Sequence, residues 1–433
     1  MSTLKRIIFT SLCLIFSQFA LALSPVPPAV VVQSDIVYGR AETENGSKQL
    51  LLDLYTPGVD DPSLPIEKRP AVILIHGGSF QTGSKEDPTL VNMARDLVLK
   101  GYVAAVINYR LQGDKPIPSD RVSHLPTQSG VAIPLEQQIA AQAALDDSIT
   151  AFEWLISQED FYKISDIGII GSSAGAITAI NLAYISDDFS IKLPDRNRIS
   201  FVVDYWGGAL LPLNNSTQAV QSVDKGEAPL FIVHGSNDII VSFNYSVLLD
   251  QRAEEVGLDY QYHVIDGGGH GFVAIDPFTV TLESGSTIAE TMYDWIDNVS
   301  QHSFSPKSMG SWYEPASSGQ GMLIDLDDVS KQLFVAWFTY NDQAGSDNGQ
   351  IPGAEQRWFT AQGKYSGRKA VLDLYQSRNG RFDATNTVDT NKVGTLELNL
   401  ESCKKGTALY DMPSLGLSGE IELQRLLTNS SCQ

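Results

Sequence analysis

Three residues stand out for the chemistry their types could perform together. Ser173 is the centre of GSSAG at 171–175, Asp238 ends HGSND at 234–238, and His270 sits in DGGGHGF at 266–272. A serine hydroxyl is a weak nucleophile until a base takes its proton, and a carboxylate must hold that base in the right tautomer. Serine, then acid, then histidine is one of the chain orders in which this chemistry recurs. The pattern G-x-S-x-G is short, however, and Ser172 stands directly beside Ser173. A Gly/Ser turn with no chemistry would look the same in isolation.

The flanking sequence separates the two readings. DIGII before GSSAG reads as a buried strand and AGAITAINLAYI after it as an apolar helix, so Ser173 falls at the tip of the turn and Ser172 one residue before it. In such an elbow the glycines let the chain reverse tightly and let neighbouring elements approach. The same texture extends over more than 200 residues. AVILIHGG, GYVAAVINYR, ISFVVDYWGG, APLFIVHGS and YQYHVIDGGG are continuous apolar runs that suit strands buried on both faces. Helical patterns alternate with them: PTLVNMARDLVLK, LEQQIAAQAALDDSITAFEWLIS, NYSVLLDQRAEEVG and STIAETMYDWIDNVS. An open, mostly parallel α/β sheet flanked by helices is therefore expected, with DIVYGR and LLLDLYTP as antiparallel strands ahead of it. Asp238 and His270 then follow two successive strands, on the rim where open α/β sheets bind ligands.

Other residues compete for these roles. Asp266 is near His270 in sequence but reads as a strand end, and Asp204 lies inside a strand run. His234 and His263 belong to strand ends, as core or rim hydrogen-bonding groups, while His124 and His302 sit in loops without a surrounding pattern. An attacked carbonyl also needs donors for its developing oxyanion. HGGSF, His76–Phe80, follows the strand AVILI, and its glycines would let backbone amides turn toward Ser173, although an ordinary Gly-rich turn is the alternative.

HGGSF, GYVAAVINYRL, GSSAG, HGSND and GGGHGF, in this order, resemble the α/β-hydrolase superfamily, in particular its HGGG-type carboxylesterase and lipase branch. The bacterial secreted acetyl-xylan and feruloyl esterases are similar. The resemblance covers about residues 35 to 300 and implies a serine carboxylic-ester hydrolase with no metal and no organic cofactor. It implies Ser173 as nucleophile, His270 as general base and acid, Asp238 as orienting carboxylate, and the amides of Gly78, Ser79 and Ala174 as the oxyanion hole. Ser79 departs from the third Gly or Ala of many relatives, which leaves open which amides of this loop point inward. A serine peptidase on the same fold and an inactive scaffold serving adhesion are the rivals. The ester itself, free or polymer-attached, is not legible, and the long segment QGDKPIPSDRVSHLPTQSGVAIPLEQQ could form a pocket wall or plain scaffold.

At 433 residues, two domains are expected. Residues 1–22 read as a secretory signal peptide, with Lys5 and Arg6, an apolar run, and Ala20-Leu21-Ala22 as cleavage site, so a secreted or periplasmic location is expected; an uncleaved anchor is the alternative. Residues 30–302 form the expected catalytic domain. Residues 304–433 change texture to short alternating strands rich in Gly, Asn, Asp and Thr, which predicts a smaller antiparallel β domain. Its Trp312, Tyr313, Trp337, Tyr340 and Trp358 could stack on sugars or fill a small core. A net charge of −21 argues against nucleic acid as a partner, and no later run is apolar enough for a membrane span. Cys403 and Cys432 could pair in an oxidising compartment.

Overall fold

The computed structural model describes residues 30–58, 69–127, 133–185, 189–193, 195–210, 216–224, 227–301, 304, 308–317, 319–327, 330, 332–340, 356–366, 368–379, 388–400 and 404–427. The leader, His302, Cys403 and Cys432 lie outside these residues. Among them, no helix is long and apolar enough to cross a membrane.

Eight strands form one sheet: β1 (Val30–Thr43), β2 (Gly46–Pro57), β3 (Arg69–Ile75), β4 (Val103–Ile107), β5 (Ile164–Ser172), β6 (Ile199–Tyr205), β7 (Leu230–Gly235) and β8 (Tyr260–Ile265). Their spatial order is β1-β2-β4-β3-β5-β6-β7-β8. β1, β2 and β4 pair antiparallel, and every pair from β4 to β8 is parallel. The uninterrupted apolar runs have a simple cause. Along β3, Ala71, Ile73 and Ile75 enter one core while Val72 and Leu74 enter the other, so no position faces water.

Helices cover both faces. α1 (Pro88–Leu99) starts where the Asp87 carboxylate accepts the Thr89 and Leu90 N–H groups at 2.9 and 3.1 Å, with Pro88 in the first turn. It lies with Ile288, Met292, Trp295, Ile296 and Val299 of a C-terminal helix (Ile288–Gln301) in one core. α2 (Leu135–Ser157), the short α3 (Glu159–Tyr162) that follows it, α4 (Ala174–Ile180) and a helix at Asn244–Val256 contribute to the opposite core.

The second module is a closed antiparallel barrel. Its strands are β9 (Gly310–Tyr313), β10 (Gly321–Asp327), β11 (Gln332–Tyr340), β12 (Gln356–Ser366), β13 (Lys369–Arg378), β14 (Asp389–Leu400), β15 (Lys405–Met412) and β16 (Leu417–Arg425), with β9 closing the ring between β16 and β10. Closure leaves no unpaired sheet edge. Six of these, β10 to β14 and β16, fall on the alternating runs GMLIDL, QLFVAWFTY, QRWFTAQG, KAVLDLYQ, VGTLELNL and GEIELQRLL, whereas β9 and β15 have no such run. In β15 the inward positions include Gly406 and Ala408, too small to register as apolar alternation. Trp312 and Trp337 fill the barrel core, whereas Trp358 and Tyr340 are exposed on its outside. The barrel meets the sheet near the start of β8: Arg368 Nε donates to Asp259 Oδ2 at 2.8 Å, and Lys369 Nζ donates to the Gly257 carbonyl at 2.6 Å.

Arg110, directly beyond β4, is wholly buried and ties distant segments together. Its guanidinium contacts the carboxylates of Asp146 and Asp147 and donates to the carbonyls of Glu42 and Ile117, both at 2.8 Å. Removing one partner of a buried ion pair strands the other charge, at a cost of about 3–5 kcal/mol. Arg110→Met should therefore lower the unfolding free energy by about that amount, read by urea denaturation, and adding Asp147→Leu should restore a large part of it.

Candidate active site

β5 ends at Ser172, and Ser173 takes φ 53° and ψ −118° before α4 begins. A non-glycine residue with such backbone angles is strained and persists only where its surroundings fix it. Here the Ser173 N–H donates to the Tyr205 carbonyl at 2.9 Å, and its own carbonyl accepts the Ile177 N–H at 2.9 Å. The flanking glycines are required by close approach. A Cβ at Gly171 would stand 2.2 Å from the Gly175 oxygen, and one at Gly175 would stand 2.1 Å from the Ile75 oxygen. Ser172 remains in the strand, and Ser173 projects at the tip. With this turn set in the 1-2-4-3-5-6-7-8 sheet, the architecture is decided. The chain has an α/β-hydrolase fold.

Within this fold the three residues meet. Ser173 Oγ lies 2.8 Å from His270 Nε2, and His270 Nδ1 lies 2.6 Å from Asp238 Oδ2. A carboxylate can only accept, so Nδ1 carries the imidazole proton and Nε2 offers its lone pair to the serine hydroxyl. Asp238 is fully enclosed at its side chain. Its Oδ1 accepts the Ile240 and Val241 N–H groups at 2.8 and 3.0 Å, which fixes the carboxylate plane. The loops after β7 and β8 are stitched together as well: Asn237 N–H donates to the Gly268 carbonyl, and Ser236 Oγ both accepts from Gly267 N–H and donates to Asp266 Oδ1. Asp266 thus serves the loop and does not touch His270.

The HGGSF loop comes against the serine from the other side. A Cβ at Gly77 would be 3.2 Å from Ser173 Cβ, and Gly78, Ser79 and Phe80 all have positive φ. Tyr109 braces this loop. Its hydroxyl donates to the His76 carbonyl at 3.0 Å, and its ring stacks on the His76 imidazole at 4.2 Å. Burial lowers the His76 pKa, which keeps that stacked ring neutral. Ser79 and Ala174, two of the three expected oxyanion donors, line a cavity of about 170 Å³ beside Ser173, and Gly78 is not among its lining residues. Phe80, Ile177, Leu210, Ile240 and Tyr245 make its apolar wall, with Gln137 anchored to the Ser79 carbonyl at 3.0 Å.

The other histidines are elsewhere. His124 bonds the Phe189 carbonyl, and His263 packs on Phe231. His234 is closer to the centre: its Nε2 donates to the Val241 carbonyl at 3.1 Å and lies 3.3 Å from Asp238 Oδ2, while burial lowers its pKa. Sequence reading treats it as a core or rim hydrogen-bonding residue, and its contact with Asp238 is not visible from spacing alone. Among the described residues no cluster of His, Cys, Asp and Glu could hold a metal ion.

A family model described as BD-FAE matches residues 52–122, the stretch from β2 through HGGSF to the segment beyond Tyr109 and Arg110. This agrees with the carboxylesterase branch that the sequence resembles. No curated protein matches. Among solved structures, propionate-bound Thermogutta terrifontis esterase 2 is 17% identical, with a TM-score of 0.44 over 63% of this chain and 92% of that one. The form of that esterase phosphonylated by sarin is 16% identical, with a TM-score of 0.45 over 64% and 96%.

Asp204 is a wholly buried carboxylate next to this centre, without a cationic partner among the described residues. Its Oδ1 accepts the Gly207 N–H at 2.7 Å, Oδ2 has no partner among the described residues, and burial pushes its pKa up to about 7. An unfolded Asp ionises near about 3.9. The folded state therefore holds the extra proton between those values, so the contribution of Asp204 to stability is full at low pH, declines as pH climbs toward 7, and is flat above. Asp204→Asn should remove that decline. Its stability advantage over the parent, measured by thermal unfolding, should grow from pH 4 to pH 7.5.

Proposed function

We propose that this protein is an exported serine carboxylic-ester hydrolase. The observation that carries the reading is the continuous chain from Ser173 Oγ through the His270 ring to Asp238, at 2.8 and 2.6 Å. Ser173 Oγ attacks the ester carbonyl as its proton passes to His270 Nε2. The same proton then goes to the departing alcohol oxygen, which leaves an acyl group on Ser173. Water attacks this acyl-enzyme, gives its proton to His270, and the proton returns to Ser173 Oγ as the acid leaves. Asp238 stays ionised and steadies the imidazolium at each stage. The amides of Ser79 and Ala174, with Gly78, receive the oxyanion, and one such donor is worth about 3 kcal/mol in the transition state.

Ser173→Ala should fold normally, yet lose p-nitrophenyl acetate hydrolysis and labelling by a fluorophosphonate probe; near-parental rates would overturn the assignment. Peptide anilides, run beside the esters, should be cleaved far more slowly. The small cavity also sets acyl size, since ordinary ligand pockets begin at about 300 Å³. Acetyl and butyryl esters should exceed decanoyl esters in kcat/KM by about tenfold or more, and Tyr245→Ala should narrow that gap.

A further inference from the structure

The outside of the barrel carries an aromatic face that its fold does not use. Residues directly opposite one another on adjacent strands form rows across the sheet. One row runs Tyr313 on β9, Gly321 on β10, Phe338 on β11 and Trp358 on β12. The next runs Leu323, Ala336, Thr360 and Tyr375, and a third places Phe334 beside Asp325 and Gln362. Alternation sends Met322, Ile324, Val335, Trp337 and Phe359 into the core, so the rows between them face outward. Trp358 is 56% exposed, Phe334 45% and Leu323 44%. Single exposed apolar residues are ordinary, but a contiguous aromatic surface on a closed barrel marks an interaction site.

We propose that this face binds an uncharged polysaccharide chain. Gly321, Ala336 and Thr360 keep the ground between the rings low, so the surface is a shallow platform rather than a deep pocket. The Trp358 indole and the Phe338 ring meet edge to face at 4.3 Å, which holds the indole in one orientation and lowers the freedom lost on binding. The row from β9 to β12 crosses three strand spacings, about 14 Å, and presents rings to an extended ligand lying across the strands. Thr360 and Gln362 stand on the same face and supply hydrogen-bonding groups of the kind sugar hydroxyls match. Charge selects among polymers and surfaces. The chain carries 51 acidic against 30 basic residues, and Asp325 lies at the edge of the face, an environment that repels anionic polymers and anionic lipid.

The position fits adsorption without obstruction of the site. Arg368, which bonds Asp259, lies just beyond Ser366 at the end of β12, and Trp358 is about 26 Å of extended strand before that end, so the Trp358–Phe338 row is at the barrel end away from the sheet. The link to a polymer-borne ester rests on the proposed hydrolase reading, whereas the binding itself does not.

The test is depletion of the full chain from solution by insoluble arabinoxylan and by microcrystalline cellulose, with phosphatidylcholine vesicles as a third arm. The parent and Ser173→Ala should both adsorb to at least one polysaccharide and not to vesicles. Trp358→Ala combined with Phe338→Ala should weaken adsorption about tenfold or more, while Leu426→Ala, at another exposed apolar position, should not. Hydrolysis of p-nitrophenyl acetate by the double variant should match the parent, which shows that the α/β domain is intact, and its far-UV circular dichroism and thermal unfolding should match too, which shows that the barrel has folded. No adsorption by the parent, undiminished adsorption by the double variant, or binding to vesicles alone would each overturn the proposal. A Ser173→Ala protein that adsorbs yet still hydrolyses esters would defeat the hydrolase reading and leave this one standing.

Discussion

Everything at the site depends on one close approach, that of the start of α4 to the end of β3. Gly175 packs so tightly on the Ile75 carbonyl that a methyl group there would overlap it, and Gly171 packs equally tightly on Gly175. Parallel pairing of β3 with β5, in register from Ile73–Ile169 to Ile75–Gly171, brings these two strand ends level. The HGGSF loop and the serine turn therefore share one small volume. Because α4 begins at Ala174, its first amides have no intrahelical partner and face the same space as the loop. A side chain at either glycine would separate Ser173 from the HGGSF loop even if all the polar residues were kept.

The remaining parts are held by bonds between loops rather than by the sheet. Tyr109 and Arg110 leave β4 in opposite directions, one bracing the HGGSF carbonyls and the other clamping Asp146 and Asp147. On the far side the loops of Asp238 and His270 bond each other through Ser236, Asn237 and Gly268. Trp206, with a positive φ, lies edge to face with Phe272 at 5.1 Å and with the His270 ring at 6.4 Å, so the imidazole has a fixed wall behind it. Preorganisation of this kind places catalytic groups before substrate arrives, which is where much of an enzyme's advantage originates.

Much of this was legible because burial on both faces writes itself as unbroken apolar runs, and because glycines punctuate the turns at strand ends. Ser173 could be separated from Ser172 by counting from the strand, and Asp238 and His270 by their position after β7 and β8. What could not be read was contact between residues distant in the chain. Nothing in GYVAAVINYRL says that Tyr109 lies on His76, and nothing in HGSND says that His234 faces Asp238 rather than solvent. The aromatic residues of the barrel were ambiguous for a related reason: alternation fixes two faces but not which is inside, until closure of the ring decides it. β15 carries no run of large apolar residues because Gly406 and Ala408 hold its first inward positions, where size and not hydrophobicity is the constraint.

The barrel's attachment bears on what it can do. Lys369 donates to the carbonyl of Gly257, the residue that caps the helix ending at Val256, where a cation is favoured, and Arg368 adds an ion pair to Asp259. Both contacts lie at the beginning of β8, while His270 follows its end. In a parallel sheet the two ends of a strand open onto opposite sides of the molecule, so a module docked at one end cannot close over a site at the other. The barrel is therefore poorly placed to act as a lid. What it offers is surface, and the outward aromatic rows on β9 to β12 are the part of that surface with the chemistry to hold the whole molecule against a ligand.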